Sequence, residues 1–231
     1  MFRNSSAMFK RIKKGSGEVL KLLFARTKRA CPLPVTRRRV MRDSNWYPAC
    51  KAVLDFVAAV VLLVLLGPVI LLTMLLVKLT SRGPAIYTQT RMGLNGKPFT
   101  IFKLRTMAFQ CEAGTGATWS RPGDPRVTPV GRFLRKTHLD ELPQLWNVLR
   151  GDMSIVGPRP LQDAEMRVCP AWREARLRVK PGLTGLWQVS SREKGRFQDW
   201  IQHDLRYVRT QSFLLDLKIL ARTLLALAKG I

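Results

Sequence analysis

The segment Phe56–Val77, FVAAVVLLVLLGPVILLTMLLV, runs for 22 residues without a charge between Asp55 and Lys78. As a helix rising about 1.5 Å per residue it reaches roughly 33 Å, enough to cross a hydrocarbon core of about 30 Å. Its midpoint is Gly67-Pro68, where proline removes a backbone donor and clashes with the preceding turn. Two geometries satisfy such a segment. One is a kinked helix that crosses once; the other is a re-entrant helix that bends at Gly67-Pro68 and returns to the face it entered. Residues 1–51 carry 14 Lys/Arg against Glu18 and Asp43, and residues 78–110 carry Lys78, Arg82, Arg91, Lys97, Lys103 and Arg105 with no acid. The positive-inside rule therefore draws both ends of the segment toward the cytoplasm.

Working outward, the chain divides into a basic N-terminal arm, partly disordered, over 1–50; the membrane helix over 51–80; and a cytosolic, membrane-associated domain over 81–231. In the arm, Lys10-Arg11, Lys13-Lys14, Lys28-Arg29 and Arg37-Arg38-Arg39 are separated by Gly15, Gly17, Pro32 and Pro34, a pattern that disfavours a packed core. Glu18–Arg29 reads as a short basic amphipathic helix or a solvated tail. It is no signal peptide, because Lys21 interrupts the apolar run. Cys31, Cys50, Cys111 and Cys169 show no C-x-x-C spacing and His138 and His203 stand far apart, so no zinc site is legible and a reduced setting is expected.

A net charge of +25 on 231 residues calls for an anionic partner: nucleic acid, lipid headgroups or phosphorylated substrates. Nucleic acid is excluded as the main partner, since it leaves Phe56–Val77 unexplained and no recognition motif is present. Anionic inner-leaflet lipid is the expected surface partner. The oligomeric state stays open.

Beyond the membrane segment, Ala85–Met107 has β-rich pieces around Asn95-Gly96, which predicts a short ribbon. Residues 113–127 read as loop. From Leu139 onward Leu142, Leu145, Trp146 and Leu149 recur at helical spacing, and Pro143 is tolerated only in a first turn, so a helix is predicted to begin near Asp140. That places the adjacent acids Asp140 and Glu141 at a helix N-terminus, where they are expected to stay ionised. An ionised Asp can attack phosphorus when the phosphate's charge is neutralised by Mg²⁺ and arginines, and Arg135, five residues before Asp140, and Arg159 in Gly-Pro-Arg-Pro are the candidates. In Phe213–Gly230 one face collects Phe213, Leu214, Leu217, Leu220, Ala221, Leu224, Leu225 and Ala228. That face suits the membrane interface or the protein core. Trp172, Trp187 and Trp200 are candidates for seating the domain at headgroup level. The predicted class is α+β, mostly helical: a re-entrant membrane helix hairpin with a small catalytic domain containing a short β-ribbon and interfacial amphipathic helices.

Several motifs recur together: Lys51 and Asp55 before the apolar run, Gly67-Pro68 within it, Tyr87-x-Gln89-x-Arg91-x-Gly93, Phe102-Lys103-Leu104-Arg105-Thr106-Met107, Leu139-Asp140-Glu141-Leu142-Pro143-Gln144, Gly151-Asp152-Met153-Ser154, Gly157-Pro158-Arg159-Pro160, and Lys180-Pro181-Gly182-Leu183-Thr184-Gly185 continuing to Val189. On these the chain resembles the bacterial polyprenyl-phosphate sugar-1-phosphate transferases, the monotopic phosphoglycosyl transferases. The resemblance implies a compact catalytic form at the inner membrane, facing the cytoplasm, and a two-step reaction with Mg²⁺ in surface polysaccharide or lipopolysaccharide synthesis. Asp140 would attack the β-phosphate of a UDP-sugar, release UMP and pass the sugar phosphate to undecaprenyl phosphate. Glu141 matches a second acid, assigned to the metal together with Asp140 or to activation of the acceptor. Arg135 and Arg159 match arginines near the phosphates, and Lys103, Arg105, Gln188 and Arg192 are further substrate-binding candidates. Departures include Gly67 where members often have Ser, Lys180 where some have Arg, and Ser191 where Gly is frequent. The competing reading is a non-enzymatic basic membrane adaptor in which Asp140-Glu141 only caps a helix.

Overall fold

The computed structural model describes residues 46–111, 123–167, 169–190 and 197–228. The basic arm up to residue 45, most of the predicted 113–127 loop, Ser191 and Arg192 lie outside these residues.

The apolar segment forms α1, Trp46–Thr80, a single uninterrupted helix that begins before the predicted boundary at 51 and carries Pro68 inside it. No turn separates two helices at Gly67-Pro68. A proline removes only one backbone donor, and Thr73 turns its hydroxyl back onto the carbonyls of Val69 and Ile70 at 2.8 and 2.9 Å, a contact that favours bending over breaking. One stripe of α1, marked by Asp55, Ala59, Thr73 and Val77, is buried against the rest of the protein, whereas Val64, Leu65, Leu71, Leu72 and Leu79 point outward.

The predicted ribbon is present: β1, Ile86–Met92, pairs antiparallel with β2, Pro98–Leu104, around a connection in which Asn95 and Gly96 both adopt positive φ. Next come α2, Pro129–Thr137, a 3-10 helix over Leu139–Gln144, and α3, Leu145–Leu149. A second, parallel pair joins β3, Ser154–Val156, to β4, Gly182–Thr184. Between and after these strands lie α4, Asp163–Met166, α5, Pro170–Arg176, α6, Leu186–Ser190, α7, Phe197–Thr210, and α8, Phe213–Ala228.

The principal core joins Ala59 of α1, Ile101 of β2, Leu145 and Val148 of α3, Val156 of β3, Tyr207 of α7 and Ile219 of α8. A smaller cluster packs Val77 at the end of α1 on Leu104 and Leu134. Trp172, Trp187 and Trp200 belong to a third cluster: Trp172 is fully buried, Trp187 stacks on Trp200 at 4.5 Å, and Phe197 meets Trp172 edge-on. They hold α5, α6 and α7 together. In α8 the inward residues are Asp216 and Ile219, and Phe213, Leu214, Leu217, Leu224 and Leu225 face outward. A helix packed on a core for solubility would place its leucines the other way round.

Both ends of α1 are gripped by this one domain. At its start Tyr47 and Lys51 donate to Asp216 at 2.8 and 2.6 Å, Tyr207 donates to the same carboxylate at 2.9 Å, and Asp55 accepts from Ile155 N–H at 3.0 Å. Just beyond its other end Arg105 donates to the carbonyl and hydroxyl of Ser81, each at 2.8 Å.

Candidate active site

Asp140 and Glu141 do not open an α-helix. α2 stops at His138, which takes a left-handed conformation (φ 58°, ψ 14°) and turns the chain into the 3-10 helix that carries both acids. Pro143 is accommodated inside that tighter helix, and α3 starts only at Leu145. The 3-10 helix packs along β2, which brings Lys103 to Glu141.

Glu141 is an ion-pair hub. Lys103 Nζ reaches its Oε1 at 2.9 Å, Arg159 Nη2 reaches the same oxygen at 2.7 Å, and Arg159 Nη1 reaches Oε2 at 3.4 Å. Burial alone would push the Glu141 carboxyl up, but the Arg159 guanidinium and the Lys103 ammonium outweigh it and hold it well below the usual carboxylate range. Burial in turn lowers Lys103, with Glu141 opposing, whereas the charge of Glu141 raises Arg159 further.

Asp140 differs from its neighbour. It accepts no hydrogen bond and makes no ion pair among the described residues. Burial and then the Glu141 charge push it up to about 6, with Lys103, Arg159 and Arg135 opposing. It is mostly ionised at neutral pH, but not because of a helix dipole. The site therefore holds one carboxylate locked by cations and one with open lone pairs in their field. This is the arrangement expected of a nucleophile whose substrate brings negative charge.

The residues around these charges are hydrogen-bonded to the strand that bears Lys103 and to its continuation. Arg135 Nε donates to Thr106 Oγ1 at 2.8 Å. Asn147 is fully buried; it donates to the Thr100 carbonyl at 2.7 Å and accepts from Phe102 N–H at 3.1 Å, which ties α3 to the strand bearing Lys103. The Gly157-Pro158-Arg159-Pro160 run leaves the end of β3, where Gly157 N–H donates to the Thr184 carbonyl and Gly182 N–H to the Pro158 carbonyl, both at 2.9 Å. A Cβ on Gly182 would collide with the Gly157 backbone, so two motifs far apart in sequence are glycine-rich because their backbones touch.

A family model described as bacterial sugar transferase matches residues 46–230. The chain belongs to the bacterial sugar transferase family. It is 49% identical over 181 residues to the UDP-glucose:undecaprenyl-phosphate glucose-1-phosphate transferase of Caulobacter vibrioides, covering 75% of this chain and 67% of that protein. It is 40% identical to the exopolysaccharide production protein ExoY of Sinorhizobium fredii, over 75% of this chain and 83% of the relative. It is 42% identical to the UDP-glucose:undecaprenyl-phosphate glucose-1-phosphate transferase of Escherichia coli, over 73% of this chain and 38% of that longer protein.

In this sugar transferase the residues singled out from sequence separate into two groups. Asp140, Glu141, Lys103, Arg159 and Arg135 form one electrostatic cluster. Arg105 is instead buried at the end of α1, bonded to Ser81 and lying 5.9 Å from the Phe109 ring centroid. Gln188 is buried and donates to the Leu183 carbonyl at 3.0 Å. Gly67 faces open space, since a Cβ there meets nothing within 4 Å. His138 and Asn147 shape the site and were not selected from sequence; a positive φ and a buried amide satisfied across 45 and 47 residues leave no local pattern. Among the described residues no three His, Cys, Asp or Glu side chains converge on a metal position. With Glu141 already accepting three hydrogen bonds, the donor set fits Mg²⁺ shared with substrate phosphate and water, not a protein cage.

Proposed function

We propose that this chain transfers a sugar-1-phosphate from a UDP-sugar to undecaprenyl phosphate through a covalent intermediate on Asp140, as the first membrane step of surface polysaccharide assembly. The observation that carries the reading is the Asp140 carboxylate, unpaired among the described residues, beside the Glu141–Lys103–Arg159 cluster. A carboxylate oxygen of Asp140 attacks the phosphorus that bears the sugar. The bond from that phosphorus to the bridging oxygen breaks, and UMP departs with the electron pair. An oxygen of undecaprenyl phosphate then attacks the same phosphorus and displaces the Asp140 carboxylate, giving the lipid-linked diphosphosugar. Neither step needs a proton held by the protein, which agrees with Glu141 being committed to Lys103 and Arg159. Lys103, Arg159 and Arg135 provide fixed positive charge for the phosphoryl oxygens. Mg²⁺, when bound with the diphosphate, supplies further neutralisation, and Asp140 and the spare lone pairs of Glu141 are the ligands this chain offers.

The membrane seat belongs to the same proposal. α1 keeps one stripe on the domain from Asp55 to Val77, and the outward apolar faces of α1 and α8 are uncovered. A helix crossing the bilayer in that attachment would drag ionised groups such as Arg105 and Asp216 to bilayer depth, at several kcal/mol each. α1 therefore enters and leaves by one face, bending at Pro68, and α8 lies in the interface of the cytoplasmic leaflet.

The test is UMP release from a panel of UDP-sugars by detergent-extracted protein with Mg²⁺ and undecaprenyl phosphate. Release with at least one sugar, dependent on the acceptor for turnover, is expected; none from folded protein with any donor sinks the reading. Reporter cysteines at positions 50 and 82 are both expected to react only from the cytoplasmic side, and a split result would mean that α1 crosses.

A further inference from the structure

The peptide that presents Arg159 to Glu141 is held from three sides. β4 takes the Pro158 carbonyl, and Met92 N–H of β1 donates to the Leu161 carbonyl at 3.0 Å. The third hold falls on the carbonyl of Arg159 itself and comes from a side chain, Arg176 Nη2 of α5. Arg176 is 4% exposed and rests 4.7 Å from the Trp172 ring centroid. The same nitrogen lies 3.6 Å from Asp204 Oδ2 of α7, and Asp204, 3% exposed, also accepts from Trp172 Nε1 at 3.1 Å.

A buried ion pair of this kind is no gain in stability over a well-packed apolar pair. This one is also incompletely satisfied, because Arg176 Nη1 is buried with no hydrogen-bond partner among the described residues. What apolar side chains could not provide is the donor to Arg159. Flanking prolines restrict the backbone there, so fixing one carbonyl fixes the direction in which the guanidinium leaves the chain. We infer that Arg176, held by Asp204 and Trp172, is a positioning residue that aims Arg159 at Glu141 and so sets the charge around Asp140.

The inference deepens the transferase reading and rests on it, and the experiment separates the two. Four full-length proteins are compared for UMP release: wild type, Arg159→Ala, the paired Arg176→Met/Asp204→Leu, and all three changes together. The paired change removes both buried charges and keeps apolar volume, so the fold is expected to survive, as judged by the unfolding midpoint. The paired variant is expected to lose on the order of 10- to 100-fold in kcat with a much smaller change in KM for the UDP-sugar. In the Arg159→Ala background the same pair is expected to cost under about threefold, because the group it aims is gone. A folded paired variant with wild-type kcat, or equal losses in both backgrounds, overturns the inference while leaving the transferase reading intact. If wild type released no UMP, the transferase reading would fail, and the positioning role would fail with it.

Discussion

Two carboxylate clusters in this protein look alike and do different work. At the start of α1, Asp216 is surrounded by Tyr47, Lys51 and Tyr207, and its two oxygens take every one of those donors. At the 3-10 helix, Glu141 takes Lys103 and Arg159 in the same manner, but the adjacent Asp140 takes no donor among the described residues. The first cluster joins α1 to α7 and α8. The second is closed at one carboxylate and open at the next. The lesson is that a satisfied buried charge is scaffold, and that chemistry is to be sought at the group left unsatisfied beside it.

The sharpest way to break this contrast is to neutralise each open or closed carboxylate. Asp140→Asn is expected to lower UMP release by about 10⁴-fold or more, as loss of a nucleophile does. Folding raises the pKa of Asp140, so its ionisation opposes folding above the ordinary carboxylate range. The variant should therefore melt no lower than wild type at pH 7, and a large fall in the melting temperature would show Asp140 to be scaffold after all. Asp216→Asn should do the reverse. Breaking its ion pair with Lys51 is expected to cost about 3 kcal/mol of stability, read by denaturation, with turnover per folded molecule within a few-fold of wild type.

Smaller effects sharpen the comparison within the site. In the proposed reaction the carboxylate of Asp140 is the attacking form, so the UMP-forming step should fail as pH drops through about 6. Glu141→Gln removes a neighbouring negative charge that raises Asp140, and that acid limb should move to lower pH in a pH–rate profile. An unmoved limb would mean that another group controls it. The smallest effect belongs to Gly67→Ala. Its Cβ meets no neighbour, and alanine favours a helix interior by about 1 kcal/mol, so activity should be unchanged and the melting temperature equal or higher.

Much of the architecture was legible because its signals are local. An uncharged run of 22 residues needs no tertiary partner to be read, and Asn95-Gly96 announces the positive φ values that turn the ribbon. The sites that misled are those where two local rules agree and a third dimension decides. Pro143 fits a first α-turn or a 3-10 helix, and the chain takes the second where it packs along β2. Basic residues two apart in Lys103 and Arg105 look equivalent, yet one meets Glu141 and the other closes the end of α1. Trp172 and Trp200 are 28 positions apart and meet only through the packing of α5 on α7. The pairing of Glu141 with partners 38 and 18 residues away carries no sequence signature at all.

The most direct measurement is the intact mass of the protein after incubation with its UDP-sugar and Mg²⁺ in the absence of undecaprenyl phosphate. A species heavier by one sugar phosphate is expected, mapped to Asp140, absent from Asp140→Asn and discharged when undecaprenyl phosphate is added. Turnover with no adduct under any quench, or an adduct mapped to another residue, would contradict it.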